Sequence, residues 1–139
     1  MSLVLDSSAT LAWVYTDETT ESIREVFERV NESGAWVTAL WRFEVGNVLE
    51  MGIRKGRHDV TFRDSTFADL ALLPIHLDPE TDRHAWSATA RLAERHRLTT
   101  YDAAYLELAQ RRGLPLASLD RDLQAAAESE GVVVLGRGK

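Results

Sequence analysis

Short apolar runs alternate with longer amphipathic stretches along the chain. The short runs predict five strands, at 3–5, 36–38, 75–77, 116–118 and 132–135. Between them, apolar residues recur at helical spacing and predict helices at 8–15, 21–30, 41–55, 61–73, 80–96, 102–112 and 121–129. Strands that alternate with helices are typical of α/β proteins, in which helices cover both faces of a mainly parallel sheet. The sequence therefore predicts an α/β fold with five strands and about seven helices.

Glycine, aspartate and proline mark several of the predicted helix boundaries. Gly34, Gly113 and Gly131 each follow an amphipathic stretch, where a helix commonly ends on a residue with positive φ. Asp78 is followed by Pro79, and this pair predicts an N-cap with proline at the first helical position.

The size and composition fit one folded domain. The chain has 139 residues, of which 45% are hydrophobic and 27% charged, and this balance is far from that of a disordered chain. No repeat or linker divides it. We expect a single domain over 1–139, with 136–139 as a frayed tail.

Absent residue types and segments narrow the possible chemistry and location. The chain has no cysteine, which excludes disulfides, thiolate zinc sites and cysteine nucleophiles. Its first residues do not resemble a signal peptide, and no stretch approaches the roughly 20 apolar residues of a membrane span. We therefore expect a soluble, cytoplasmic protein that does not bind a membrane.

Four acidic residues interrupt apolar patterns. Asp6 and Asp120 directly follow predicted strands, and the carboxyl ends of parallel strands are where ligands and catalytic groups collect. Glu44 lies within the apolar stripe of its predicted helix, and Asp102 opens another helix. Together the four side chains could meet at one edge of the sheet.

Each of these residues also has a plainer structural interpretation. Taken singly, Asp6, Asp102 and Asp120 are more simply helix N-caps. Glu44 needs a partner if it is buried, because an unpaired buried carboxylate is costly. Arg42 and Arg54 are the nearby candidates, although neither lies three or four residues away on the same helix face.

A cation would explain the four carboxylates together. Like charges in one cleft are tolerated when a cation neutralises them, and an all-oxygen donor set selects Mg²⁺ or Mn²⁺ over zinc. Such an ion beside a phosphodiester can activate a water and stabilise the leaving oxygen. The predicted chemistry is therefore phosphodiester hydrolysis by a metal-activated water.

Four segments resemble one known family. They are LVLDSS at 3–8, WRFEVGNVL at 41–49, LTTYDAAYLELA at 98–109 and LASLDRDL at 116–123. Their order and spacing resemble PIN-domain ribonucleases and, within them, VapC-type toxins of bacterial type II toxin–antitoxin pairs.

This resemblance implies a fold and a set of site residues. It implies a three-layer α/β/α fold with parallel strand order 3-2-1-4-5. It also implies that Mg²⁺ or Mn²⁺ is held by the catalytic quartet, which is Asp6, Glu44, Asp102 and Asp120. Residues expected near the metal are Ser7, Thr99, Ser118 and Asp122, of which Asp122 ranks below the quartet.

The resemblance also implies partners: a homodimer, a VapB-type antitoxin that brings a basic side chain to the carboxylates, and structured RNA such as tRNA or rRNA. The formal charge of −6 opposes RNA binding, so contacts with RNA must be local. We favour Arg54, Lys55 and Arg57 as the RNA-contacting cluster, although such groups are more often solvated helix ends.

Other functions remain open. A phosphorylation-receiver domain should have adjacent acidic residues after the first strand, and a haloacid-dehalogenase-like phosphatase should have a second Asp two residues after the first. Ser7 and Ser8 follow Asp6 instead, which disfavours both. A non-catalytic PIN-fold scaffold and a housekeeping PIN nuclease of RNA maturation stay as alternatives to the toxin.

Overall fold

The computed structural model describes residues 1–138, in which five strands form one parallel sheet. The strands are β1 (Leu3–Leu5), β2 (Ala35–Val37), β3 (Ile75–Leu77), β4 (Leu116–Ala117) and β5 (Val134–Leu135). Their order is β3-β2-β1-β4-β5, which confirms the predicted fold class and strand arrangement. Successive strands are added on one side of β1 as far as β3, and then on its other side from β4 onward. The carboxyl ends of β1 and β4 therefore form the topological switch point.

Eight α-helices and one 3₁₀ turn flank the sheet within the described residues. They are α1 (Ser7–Val14), α2 (Glu21–Ser33), α3 (Trp41–Arg54), α4 (Val60–Ala71), α5 (Thr81–His84), α6 (Ala88–His96), α7 (Thr100–Arg112) and α8 (Arg121–Ser129), with the 3₁₀ turn at Thr16–Glu18. Six predicted helices agree with these bounds to within three residues.

The prediction of a single helix over 80–96 is wrong. The chain forms α5 and α6 instead, because Ser87 adopts φ −120° and ψ −102°, outside the helical region. Trp86 lies in the break and is 97% exposed. Its side chain therefore makes no packing contact with the core that would stabilise a continuous helix through this turn.

The predicted N-cap role of Asp78 is also wrong. The helix begins at Thr81, after Glu80. The Asp78 side chain is buried and accepts from Arg111 at 2.6 Å and Arg112 at 3.3 Å, both from the last turn of α7. The Asp78 carboxylate therefore forms ion pairs with α7 instead of capping the helix that follows it.

The core centres on β1 and α7. All three residues of β1 are fully buried, because neighbouring strands cover both edges and helices cover its faces. Residues 103–109 of α7 are buried on every side, and the helix packs on β1, α6 and α8. The helix that carries Asp102 is therefore a rigid internal element.

The chain ends at the fifth strand and a short tail. β5 begins two residues later than predicted because the Val132 N–H donates to Ala127 O at 2.8 Å and closes the end of α8. Arg137 donates to Glu128, and Lys139 lies outside the described residues, so the frayed tail stays a prediction.

The glycines at the helix ends and the apolar character of the helices can be compared with the predictions. Gly34, Gly113 and Gly131 have φ of 77°, 65° and 78°, which confirms the helix ends predicted at these residues. Within residues 1–138, no helix combines the length and apolar character needed to cross a bilayer.

Candidate metal centre and active site

Asp6 and Asp120 follow two neighbouring strands. Leu5 pairs with Ala117 in the sheet, and the Asp6 N–H donates to Ala117 O at 3.1 Å. The two side chains cap α1 and α8, where Oδ1 of each accepts from a backbone N–H at 2.9 Å. The N-cap interpretation is therefore correct for both, and it occupies one oxygen of each carboxylate.

Ser8 ties the two strand ends together. Its hydroxyl contacts both oxygens of Asp6, at 2.7 and 2.9 Å, and accepts from the Leu119 N–H at 2.9 Å. Ser7, which the resemblance placed near the metal, begins α1 and makes no side-chain hydrogen bond within the described residues. The available signal was local: Ser8 lies two residues after a capping aspartate, where a short hydroxyl can reach back.

Ser118 lies between the same two carboxylates. Its side chain is fully buried, its Oγ accepts from the Asp120 N–H at 3.1 Å, and its hydroxyl lowers the pKa of Asp6 by hydrogen bonding. The structure therefore brings Ser118 to the position that the resemblance implied, beside Asp6 and Asp120.

Glu44 finds a tyrosine rather than an arginine. It lies in the first turn of α3, and its Oε1 accepts from the Tyr105 hydroxyl at 2.5 Å. Neither candidate arginine pairs with it; Arg54 pairs with Glu50, four residues away on its own helix. Sequence reasoning missed Tyr105 as a site residue, although it stands one turn after Asp102 on α7.

Asp102 is not a helix cap. Thr99 caps α7, and its Oγ1 accepts from the Asp102 N–H at 3.1 Å. The Asp102 carboxylate repels the charges of Asp6 and Glu44, and it is itself repelled by Asp120 and Asp122. Asp102 is therefore the electrostatic centre of the predicted quartet.

Burial raises the pKa of Asp6, Glu44 and Asp102. Burial is the largest cause that raises the pKa of Asp6 to about 6, partly offset by hydrogen bonds from Ala9, Ser118 and Ser8. Burial is also the largest cause that raises the pKa of Glu44 and of Asp102, and charge repulsion adds to both.

The quartet differs from the other buried or partly buried acidic residues of the described chain because it lacks ion pairs. Residues 1–138 contain nine Asp or Glu residues that are buried or partly buried. Five of them pair with arginine: Glu50, Asp78, Glu80, Glu107 and Glu130. The four without an ion pair are Asp6, Glu44, Asp102 and Asp120. Among the buried and partly buried carboxylates of residues 1–138, the quartet is thus the group without an ion pair.

These donors fit a hydrated hard cation better than a closed cage. Within the described residues, no three Asp, Glu or His side chains are grouped closely enough to enclose a metal ion. Mg²⁺ keeps several waters and needs only one or two direct carboxylates, while the others act through water or charge. An all-oxygen group that lacks countercharge suits such an ion.

The remaining predicted residues lie at the edge of the site or away from it. Asp122 is exposed in the first turn of α8, within electrostatic reach of Asp102. The basic cluster begins ten residues after Glu44, so it lies about 15 Å further along α3.

The three basic residues of this cluster differ in their partners. Arg57 pairs with Asp17 and Glu18, and Arg54 with Glu50, whereas Lys55 has no ion pair within residues 1–138. RNA contact by Arg54, Lys55 and Arg57 stays a prediction.

The fold and site together define a parallel α/β domain with an unpaired acidic centre at its switch point. The family model described as "PIN domain" matches residues 3–129. Ribonuclease VapC3 from Pyrobaculum aerophilum is 32% identical over 127 residues, which cover 88% of this chain and 92% of the relative. The chain therefore belongs to the PIN-domain family, as a homologue of the VapC ribonucleases.

Two solved structures have a similar fold. PAE2754 from Pyrobaculum aerophilum superposes with a TM-score of 0.69 at 25% identity, covering 96% of this chain and 83% of the other. The Mycobacterium tuberculosis toxin VapC20, described as cleaving the sarcin-ricin loop, superposes with a TM-score of 0.58 at 16% identity, covering 89% and 94%. The second similarity shows the fold alone.

Proposed function

We propose that this chain is a metal-dependent endoribonuclease and the toxin of a VapBC-type pair, which cleaves structured RNA such as tRNA or rRNA in the cytoplasm. The observation that carries the proposal is the unpaired quartet. Of the nine buried or partly buried carboxylates within residues 1–138, only these four lack an arginine partner. A cluster that needs a cation, in a homologue of VapC ribonucleases, supports phosphodiester hydrolysis.

The protein's own groups would hold the site in shape. The N-termini of α1 and α8 engage Oδ1 of Asp6 and of Asp120, and Ser8 contacts both oxygens of Asp6, so both carboxylates are oriented. Asp102 enters from the buried helix α7. When bound, Mg²⁺ or Mn²⁺ would supply the positive charge that lowers the pKa of a water and stabilises the leaving oxygen.

The same acidic centre supports an antitoxin partner. An arginine inserted by a VapB-type segment would match unpaired carboxylates with two parallel hydrogen bonds and would exclude the cation. We therefore propose inhibition by charge replacement at the quartet, in a toxin that acts as a homodimer.

A cleavage assay tests the proposal. Purified protein is incubated with total bacterial RNA in Mg²⁺, in Mn²⁺ and in chelator, and the new RNA ends are sequenced. The Asp102→Asn variant tests the quartet, and Asp69→Asn is the matched control because Asp69 is an exposed residue of α4. We expect a few discrete cuts that need the metal, persist in Asp69→Asn and fall at least 100-fold in Asp102→Asn.

Two outcomes would contradict the proposal. RNA cleavage that persists in chelator or in Asp102→Asn would show that the reaction does not depend on a metal held by the quartet. No cutting by the wild type, with Mn²⁺ binding measured separately, would favour the PIN-fold scaffold.

A further inference from the structure

Glu44 depends on a single contact for its orientation. It projects from the first turn of α3, and Oε1 accepts from the Tyr105 hydroxyl at 2.5 Å. Within residues 1–138, no other hydrogen bond reaches its carboxylate, whereas Asp6 and Asp120 are each fixed by a helix N-terminus. The other oxygen, Oε2, is therefore available to an outside ligand.

Charge repulsion works against the placement of Glu44. Asp102 lies close enough to repel it, and neither carboxylate has an ion pair within the described residues. A glutamate with three rotatable bonds would turn away from such a neighbour unless something held it. Tyr105 stands one turn after Asp102 on α7, so its hydroxyl ties Glu44 to the helix that carries the repelling group.

Tyr105 is a rigid donor for this purpose. Its side chain is fully buried between residues of the core, so its ring has no freedom to follow a moving glutamate.

A buried threonine stands behind the phenol. Thr38 follows β2 with no exposed surface, and its Oγ1 accepts from the Leu40 N–H at 3.2 Å. It also lies beside the Tyr105 hydroxyl. The buried end of β2 is therefore next to the phenol that contacts Glu44.

We propose that Tyr105 is a positioning residue of the metal centre, which holds Glu44 beside Asp102 with one oxygen engaged and the other free for the cation or its water. This role rests on the proposed metal-dependent nuclease. Partners of this kind behind metal ligands commonly contribute a factor of about 10 to 100 in metal affinity.

Metal binding measured without RNA tests the proposal. Tyr105→Phe removes only the hydroxyl, and Tyr15→Phe is the matched control because Tyr15 is also buried and bonds His58 through its hydroxyl at 2.9 Å. Mn²⁺ affinity is measured by calorimetry on metal-free protein. We expect Tyr105→Phe to weaken it roughly 10- to 100-fold and Tyr15→Phe to leave it unchanged.

Cleavage and coupling measurements separate positioning from mere stability. In Tyr105→Phe the Mn²⁺ concentration for half-maximal cutting should rise with the dissociation constant, and excess Mn²⁺ should restore most of the rate. In a Glu44→Gln background, Tyr105→Phe should weaken Mn²⁺ binding by less than twofold further, because the acceptor it positions has lost its charge. An equal loss in both backgrounds would overturn the proposal.

The remaining outcomes are also decisive. Wild-type Mn²⁺ affinity in a folded Tyr105→Phe would overturn the positioning role. If circular dichroism shows that this variant does not fold, Thr38→Val replaces it. We then expect about a threefold loss of Mn²⁺ affinity, and an unchanged affinity would refute the positioning role. Wild-type protein that binds Mn²⁺ but cuts no RNA would refute the nuclease alone, and failure to bind Mn²⁺ would refute both.

Discussion

The burial of Asp6 predicts that removing its charge stabilises the metal-free protein. Asp6→Asn keeps a side-chain oxygen that can cap α1, and asparagine is as good an N-cap as aspartate. The variant loses the second carboxylate oxygen, which contacts Ser8 at 2.9 Å. It also removes the buried negative charge of Asp6, whose loss of hydration opposes folding.

The magnitude follows from the pKa of Asp6. A folded-state pKa of about 6, against an ordinary value of 3.8, means that ionisation opposes folding. The difference is about two pH units, so above pH 6 the ionised group lowers the free energy of unfolding by about 3 kcal/mol. The penalty fades as the pH falls through 6 and is absent below about 4. After the lost Ser8 contact, we expect Asp6→Asn to gain 1 to 2 kcal/mol.

Chemical denaturation in chelator checks this expectation at pH 7.5 and at pH 4.5. The variant should be the more stable protein at pH 7.5, and its advantage should shrink at pH 4.5. Saturating Mn²⁺ should stabilise the wild type more than the variant and so narrow or reverse the difference. A variant that is less stable than the wild type at pH 7.5 in chelator would refute the argument from desolvation.

Three further expectations concern other parts of the chain. Asp78→Ala should lower the free energy of unfolding by about 1.5 to 3 kcal/mol in urea denaturation, because Arg112 loses its acidic partner and Arg111 keeps only Glu107; a loss below 1 kcal/mol would contradict the pairing. Ser8→Ala should lower the free energy of unfolding by about 1 to 3 kcal/mol, because it removes the acceptor of the Leu119 N–H, and it should also reduce RNA cleavage. An unchanged melting temperature and cleavage rate would contradict a role for Ser8 in joining the two strand ends. Mn²⁺ at 100 times its dissociation constant should stabilise the metal-free wild type by about 2.7 kcal/mol in a thermal melt, and no shift would contradict a site in the folded state.

The distribution of ion pairs limits which basic residues are free for the predicted contact with RNA. The net charge is −6, and most basic side chains in the described residues are already paired with acidic ones. Four exposed arginines have no ion pair within residues 1–138: Arg42, Arg91, Arg97 and Arg121. Arg121 directly follows Asp120. The basic cluster at Arg54 and Arg57 is instead held by neighbouring carboxylates, which would have to be displaced before a phosphate could bind.

The sequence by itself determined the fold class and part of the site. Local patterns were sufficient where the cause was local: apolar runs gave the strands, helical periodicity gave most helices, and glycine with positive φ ended three of them. Asp6 and Asp120 could be placed at one edge because any residue that follows a parallel strand lies at the carboxyl end of the sheet. Their order along the chain was enough to make them neighbours once β1 paired with β4.

Only the tertiary structure decided which side chains meet. Glu44 bonds Tyr105 from 61 residues away, Asp78 bonds Arg111 from 33 residues away, and Ser8 joins Leu119 across 111 residues. Sequence spacing carries no signal for such pairs, because they depend on how the helices pack over the sheet. The same packing decides which buried or partly buried carboxylates pair with an arginine, and within residues 1–138 it leaves the four carboxylates of the quartet without one.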